Sequence, residues 1–268
     1  MLDFFSTPIR QTATLRKRDH RPWPLPRRPW FMGQTWLDLL FAHWPLPPSE
    51  LEQLLPPPLR LDTFDGRAWI SVTPFVLSGR RHAATPPLPY FSTFPELNVR
   101  TYATLDEKPG IYFFSLDAGS RLAVEGARRL YRLPYFLAQM SARQQRVGAV
   151  AYESKRIDSR GHDALFKGSY APVGPIFVAK ESTLEHFLVE RYCLYTVDES
   201  GEMLRAEIHH PPWLLQAAET RITLNTMAPR GVELPATPPL LHFARRQQVL
   251  IWRPRRVERV RRTEEKPV

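Results

Sequence analysis

The chain has 268 residues, 43% of them hydrophobic and 24% charged, enough to bury one large core or two small ones. Its net charge is +10, but residues 1–28 hold seven basic and two acidic side chains and residues 245–268 hold nine and three, which leaves −1 for residues 29–244. A near-neutral body argues against a fold built to track phosphates, so no specific nucleic-acid partner is expected and the ends read as solvated, solubilising segments. The longest apolar runs fall far short of the roughly 18 residues of a membrane helix. No apolar segment follows the basic N-terminus as a signal peptide requires, and a single cysteine, Cys193, forbids an internal disulfide. Together these fit a cytoplasmic protein.

The organisation expected is a basic, proline-rich extension over 1–28, one β-rich domain over 29–244, and a 245–268 end that starts strand-like and continues as a basic, disordered tail. The 28 prolines punctuate short apolar segments rather than forming a repeat. In chain order, Trp36, Leu37, Leu40, Phe41 and Trp44 have helical spacing in a short aromatic run, and spacing alone slightly prefers helix. A helix is expected over Pro48–Leu55, with acidic residues in its first turn. Strands follow at Leu61–Phe64, Ala68–Leu77, Leu97–Thr104 and Gly110–Leu116, and Asp65-Gly66 marks a hairpin turn between the first two. A second helix is expected over Ser120–Tyr131, ending before Pro134. Strands at Val147–Arg156 and Leu165–Tyr170 precede a third helix over Ser182–Glu190, which opens on a near-capping box. The last strands are Tyr192–Val197, Leu204–His209, Arg221–Met227 and Gln248–Arg253. Many strands with few helices predict a mainly β, α+β barrel.

Phosphate loops, nucleophile elbows and zinc patterns are absent from the sequence. His209 and His210 are adjacent and point to opposite faces of a strand. His186 and Glu190 form a lone i, i+4 pair. No metal and no cofactor are expected. What remains is Glu96-Leu97-Asn98-Val99-Arg100-Thr101-Tyr102, whose alternation sets Glu96, Asn98, Arg100 and Tyr102 against Leu97 and Val99. The polar side either faces solvent or lines an interior, where buried charges need partners and often mark sites. Two further segments, around Arg191 and around His210, mix polar and apolar side chains in a way that suits a pocket and a filled interior equally.

The segments R-P-W-F-M-G-Q-T-W-L-D-L-L-F-A-H-W-P-L, F-P-E-L-N-V-R-T-Y, K-P-G-I-Y-F-F-S-L-D-A, R-L-P-Y-F-L-A-Q-M and E-I-H-H-P-P-W-L-L-Q-A resemble the YqjF-like, or DUF2071, family of uncharacterised proteins. That family is similar in turn to the acetoacetate decarboxylase-like superfamily. The resemblance implies an antiparallel β-barrel or cone with a central cavity and a few outer helices, and it implies a strand over Leu39–Trp44. It also places Leu133-Pro134-Tyr135-Phe136 where the decarboxylases carry a lysine pair. Tyrosine and phenylalanine form no imine, so a Schiff-base decarboxylase is not expected; Lys155 is the lysine that would have to substitute. The superfamily's pocket glutamate matches Glu96.

Two readings stay open. One is a cavity that binds a small acidic or carbonyl-bearing ligand, with Arg100 as anion anchor, Glu96 orienting it or acting as acid/base, Tyr135 and His210 as hydrogen-bonding partners, and Asn98 and Arg191 completing the pocket. The other is a filled, non-enzymatic interior in which Glu96 and Arg100 pair with each other or with Arg191. Self-association is left open, and a salt-sensitive contact of the basic ends with nucleic acid or an anionic surface is the weaker reading.

Overall fold

The computed structural model describes residues 2–87, 92–145 and 148–257, with side chains from Ser6 onward. Residues 258–268, most of the expected disordered tail, lie outside the described residues, as does Val147. The elements are α1 (Leu2–Ala13), β1 (Met32–Leu46), α2 (Pro48–Glu52), β2 (Arg60–Leu61), β3 (Ala68–His82), β4 (Phe94–Leu105), β5 (Lys108–Ala118), α3 (Arg121–Tyr131), β6 (Tyr135–Gln144), β7 (Val150–Arg156), β8 (Leu165–Phe177), α4 (Leu184–Val189), β9 (Cys193–Val197), β10 (Met203–His209), β11 (Leu215–Asn225), β12 (Leu240–Ile251) and β13 (Arg255–Arg256). The chain is mostly β with a few short helices.

All strands join one sheet, in the order β13-β10-β9-β5-β6-β7-β8-β11-β12-β1-β3-β4-β2, with β4 also paired to β5 and β10 to β12. The β4–β5 pairing closes the sheet on itself into a ring, and the β10–β12 pairing closes a second, smaller circuit through β9. Pairing is antiparallel except between β5 and β6 and between β5 and β9. The two circuits share β12, β1, β3, β4 and β5 as a wall.

That wall explains the local sequence. Leu39 and Phe41 of β1, Phe75 and Leu77 of β3, and Tyr102 of β4 enter one core with Leu194 and Ile208. Leu40, Ala42, Val72, Leu97 and Val99, at the alternate positions, enter a second core with Tyr152 and Phe166. A strand segment packed against an apolar core on each face carries apolar residues at successive positions, not at every second one, as residues 39–42 do. This is why the Trp36–Trp44 run mimics helical spacing and is nonetheless strand β1.

Local signals account for the caps. Ser120 accepts from the Ala123 amide at the start of α3, and Arg132, at φ 55°, ends it just before Pro134. Thr183, not Ser182, caps α4. Phe64 and Arg67 exchange two 3.0 Å backbone hydrogen bonds around Asp65-Gly66, both at positive φ, as the tight hairpin requires.

The structure departs from the expected elements at five places. The sequence reading has no strand over Tyr135–Gln144 and no helix over Leu2–Ala13, and both are present. β11 begins at Leu215 and β12 at Leu240, earlier than expected. The N-terminal end is not a solvated extension: Thr7, Gln11, Thr14 and Arg21 are buried. Gln11 Nε2 donates to the Gly79 carbonyl at 3.0 Å and its Oε1 accepts from Arg81 Nε at 2.8 Å. Gly33 and Gly79 make the seat, since a Cβ at either would lie 2.4–2.5 Å from Gln11 or Thr7. Among the described residues, no helix is long and apolar enough to cross a membrane.

Candidate functional site

The even positions of β4 carry polar groups into the core enclosed by β9, β10, α3 and α4. Glu96, Asn98 and Arg100 are all buried. Along an extended strand Glu96 and Arg100 stand roughly 13 Å apart, so they occupy different places in that interior and do not pair.

Glu96 lies at a cavity of about 40 Å³, lined also by Tyr135, Tyr131, Arg80, Gln34 and apolar side chains. β4 supplies Glu96, the first residue of β6 supplies Tyr135, and α3 supplies Tyr131. Ala123 and Ala127, eight and four residues before Tyr131, also face it and leave room by being small. The Tyr135 hydroxyl donates to Glu96 Oε1 at 3.1 Å. Glu96 Oε2 and the Tyr131 hydroxyl are buried with no hydrogen-bond partner among the described residues. Burial pushes the Glu96 carboxyl up to about 8, against the Tyr135 hydrogen bond and the Arg80 charge, which pull it down. Near neutral pH Glu96 therefore carries its proton, and Oε2–H is a donor. Burial and then Glu96 raise the Tyr135 phenol well above its ordinary value, and burial raises Tyr131. The groups facing the cavity are thus two neutral O–H donors and one cation, suited to an acceptor-rich ligand.

Arg100 sits elsewhere. Its guanidinium donates to the Leu188 carbonyl at 3.3 Å and lies 5.2 Å from the centre of the Phe41 ring. Its Nε has no partner, and among the described residues no carboxylate lies within 4.0 Å of it. Burial lowers its pKa. His43 is beside it, with Nδ1 at 2.6 Å from Ser71 Oγ and Nε2 unpartnered, and the His43 and His242 rings are 5.9 Å apart. Burial, then His242 and Arg100, keep His43 neutral well below its usual range. Arg191 is paired: Nη1 meets Asp62 Oδ2 at 2.5 Å and Nε donates to the Phe187 carbonyl at 2.6 Å. Asn98 Oδ1 accepts from Thr73 Oγ1.

His210 lies in a third place. It stacks on Tyr192 at 4.7 Å, and its nitrogens stand 2.9 Å from the Pro211 carbonyl and 3.2 Å from the Arg191 carbonyl. The structure therefore brings Glu96 and Tyr135 together and leaves Asn98, Arg100, Arg191 and His210 away from them. The expected pairing of Glu96 with Arg100 or Arg191 does not form. Sequence reasoning missed Tyr131 and Arg80. Tyr131 had a signal, the i, i+4, i+8 stripe of Ala123, Ala127 and Tyr131; Arg80 had none.

Among the described residues no lysine lines the cavity. Lys155 is exposed on β7, paired in register with Gln139 and Leu165. Among the described residues no group of three or more His, Cys, Asp or Glu side chains is placed to hold a metal ion.

Comparison with known proteins supplies the wider context. A family model described as "DUF2071: Uncharacterized conserved protein" matches residues 33–248. The chain is 48% identical over 224 residues to the uncharacterized protein YqjF of Bacillus subtilis (strain 168), across 83% of this chain and 91% of that protein. Among solved structures it is similar to the enduracididine biosynthesis enzyme MppR complexed with pyruvate, at a TM-score of 0.58 and 10% identity over 89% of this chain and 93% of that one. It is similar also to an acetoacetate decarboxylase-like enzyme from Sphingomonas wittichii RW1, at 0.58 and 13% over 90% and 98%. Acetoacetate decarboxylase from Legionella pneumophila matches at 0.57 and 13% over 90% and 93%. At these identities the likeness is one of fold.

Proposed function

The chain belongs to the DUF2071 family of uncharacterised conserved proteins, and on its acetoacetate decarboxylase-like fold we propose that the Glu96 cavity binds a small ligand carrying a carboxylate or carbonyl group. One observation carries this reading: Glu96 Oε2 and the Tyr131 hydroxyl, both buried and unpartnered, line the same small space as the Arg80 guanidinium. A buried polar atom without a partner costs about 1–3 kcal/mol. A carbonyl oxygen accepting from Glu96 and Tyr131, with a carboxylate held at Arg80, would relieve both. Of the candidate groups, Glu96 thus remains as a donor, with Tyr135 holding its other oxygen; Tyr131 joins it, and Arg80 takes the anchoring role first expected of Arg100.

The cavity volume sets the ligand size. About 40 Å³ is room for about three water-sized groups, so the fit is to an acid of very few heavy atoms. The same number favours a second reading, a filled interior with a purely structural Glu96–Tyr135 contact, because pockets for larger ligands run to about 300–1,000 Å³.

Thermal-shift measurements on the full chain with formate, acetate, glyoxylate and pyruvate separate the two. Ligand binding predicts a concentration-dependent rise in Tm that falls in Glu96→Leu, which removes the donor, and in Arg80→Ser. Absence of any shift, or a shift unchanged in both variants, would overturn the proposal in favour of the filled interior.

A further inference from the structure

A second concave region lies where the segment after α1 meets β10 and β13. It is a cleft of about 230 Å³, lined by Trp23, Arg28, Lys108, Arg205, Glu207 and Arg255, with Arg256 at its edge. The sequence separates these cations widely. The fold gathers them because β13 pairs with β10, Lys108 opens β5, and the N-terminal segment is fastened across the β9–β10 edge. The fastening is extensive: Arg21 Nη1 donates to the Ile208 carbonyl at 2.7 Å, Trp23 Nε1 donates to Glu207 Oε2 at 2.7 Å, and Trp252 Nε1 donates to the Arg28 carbonyl at 2.8 Å.

The charges in this cleft do not balance. Among the described residues Glu207 is its one carboxylate, and it is already engaged by Trp23, by Arg21 at 3.5 Å and by Arg205 at 3.5 Å. Arg256 faces Asp198 and Glu202. Arg28, Lys108 and Arg255 have no carboxylate within 4.0 Å among the described residues. Lys108 instead lies 5.3 Å from the centre of the Trp23 ring, which fixes where its ammonium stands. Burial and then Arg255 lower the Arg28 pKa, the mark of two like charges crowded at one place. Ordinary surface cations spread apart or pair with carboxylates; these are held together by backbone hydrogen bonds and an aromatic face.

We propose that Arg28, Lys108 and Arg255 form a binding site for the phosphoryl group of a phosphate-bearing ligand. Two guanidinium forks and an ammonium match the oxygens of a phosphate better than a single carboxylate, which would leave most of the donors unused. The site is distinct from the Glu96 cavity and shares no lining residue with it. It also gives the chain's basicity a folded location, which the distribution of charge along the sequence does not reveal.

The test is isothermal titration of the full chain at low salt with inorganic pyrophosphate and with AMP, beside co-sedimentation with phosphatidylcholine vesicles made with and without phosphatidic acid. Binding of pyrophosphate or AMP identifies a soluble ligand, and retention on phosphatidic acid vesicles alone identifies a lipid headgroup; either supports the site. Arg28→Ser/Arg255→Ser is expected to weaken the interaction at least tenfold, and Lys108→Ser to weaken it several-fold. Arg121→Ser/Arg129→Ser, which removes the same charge from exposed positions on α3, is expected to change it less than twofold. All these changes remove side chains whose backbone contacts persist, so folding is retained. No binding in any arm, or equal losses in the two double variants, would overturn the proposal and leave only a diffuse attraction for anions.

Discussion

The Tyr135 hydroxyl donates to Glu96 Oε1 at 3.1 Å, across the interior from β6 to β4, and this contact leaves the second Glu96 oxygen to carry the proton. The pH dependence follows. The folded chain holds the Glu96 proton up to about pH 8, whereas the ordinary value is 4.5. Between those values the folded state binds more protons than the unfolded one, so stability falls as pH rises through the window and levels above it. The steepest slope is roughly 1.4 kcal/mol per pH unit. Buried His43, His209 and His242, held neutral, act in the opposite sense by losing stability as pH drops. The difference between wild type and Glu96→Gln isolates the carboxyl. Urea unfolding from pH 5 to 8 is expected to show wild type losing stability relative to the variant; parallel profiles would mean an ionised Glu96.

Arg100 is a buried cation with no carboxylate within 4.0 Å among the described residues. Its desolvation is offset by the Leu188 carbonyl, by Tyr102 and by the Phe41 ring. Replacing such a charge with an apolar side chain of similar volume is often neutral or stabilising by about 1–4 kcal/mol. Arg100→Met is therefore expected to keep or raise the urea midpoint. A loss above about 1 kcal/mol would show that tethering α4 outweighs the burial cost.

Arg191 behaves in the contrary way because it is paired. Its side chain is 3% exposed and Asp62 is 24% exposed. Asp62→Ala leaves a buried guanidinium uncompensated and is expected to cost about 3 kcal/mol. Asp62→Ala/Arg191→Met should recover much of that, a non-additivity measured by a double-mutant cycle in urea.

The N-terminal helix depends on Gln11. Gln11→Ala removes the acceptor of buried Arg81 Nε and the donor to the Gly79 carbonyl, and is expected to cost about 2–3 kcal/mol. Gly33→Ala should release α1 by a different route, since its Cβ would meet Gln11 Oε1 at 2.4 Å. Hydrogen exchange at residues 2–16 is expected to rise in both variants while β4 stays protected. Unchanged exchange would detach α1 from this seat.

The sequence made the polar face of β4 legible because period-two alternation survives wherever the two sides differ in chemistry, as Glu96, Asn98 and Arg100 differ from Leu97 and Val99. The same rule fails for β1, where both sides are apolar and the period disappears; there only family resemblance distinguishes strand from helix. β6 escapes because its residues after Tyr135 are largely half-buried or exposed and carry no apolar rhythm. α1 escapes because Pro8 and threonines dilute its helical character, and its stability comes from the Gln11 seat, a tertiary contact. The site was half legible for a related reason. Glu96 and Tyr135 were recognisable by family likeness, but Arg100 seemed to belong with Glu96 only because four residues look close in a sequence and span roughly 13 Å in a strand.

The shared wall has a consequence for how this chain tolerates variation. Residues 39–44 of β1, 68–75 of β3 and 96–103 of β4 have no water-facing side: every one of them is buried. Neutral drift, which ordinary strands absorb at every second position, is closed to these stretches. Substitutions should accumulate instead on β6, β8 and β11, whose outward sides are open. The segment that separates the two interiors is thereby expected to change most slowly, and the polar row of β4 is carried on it.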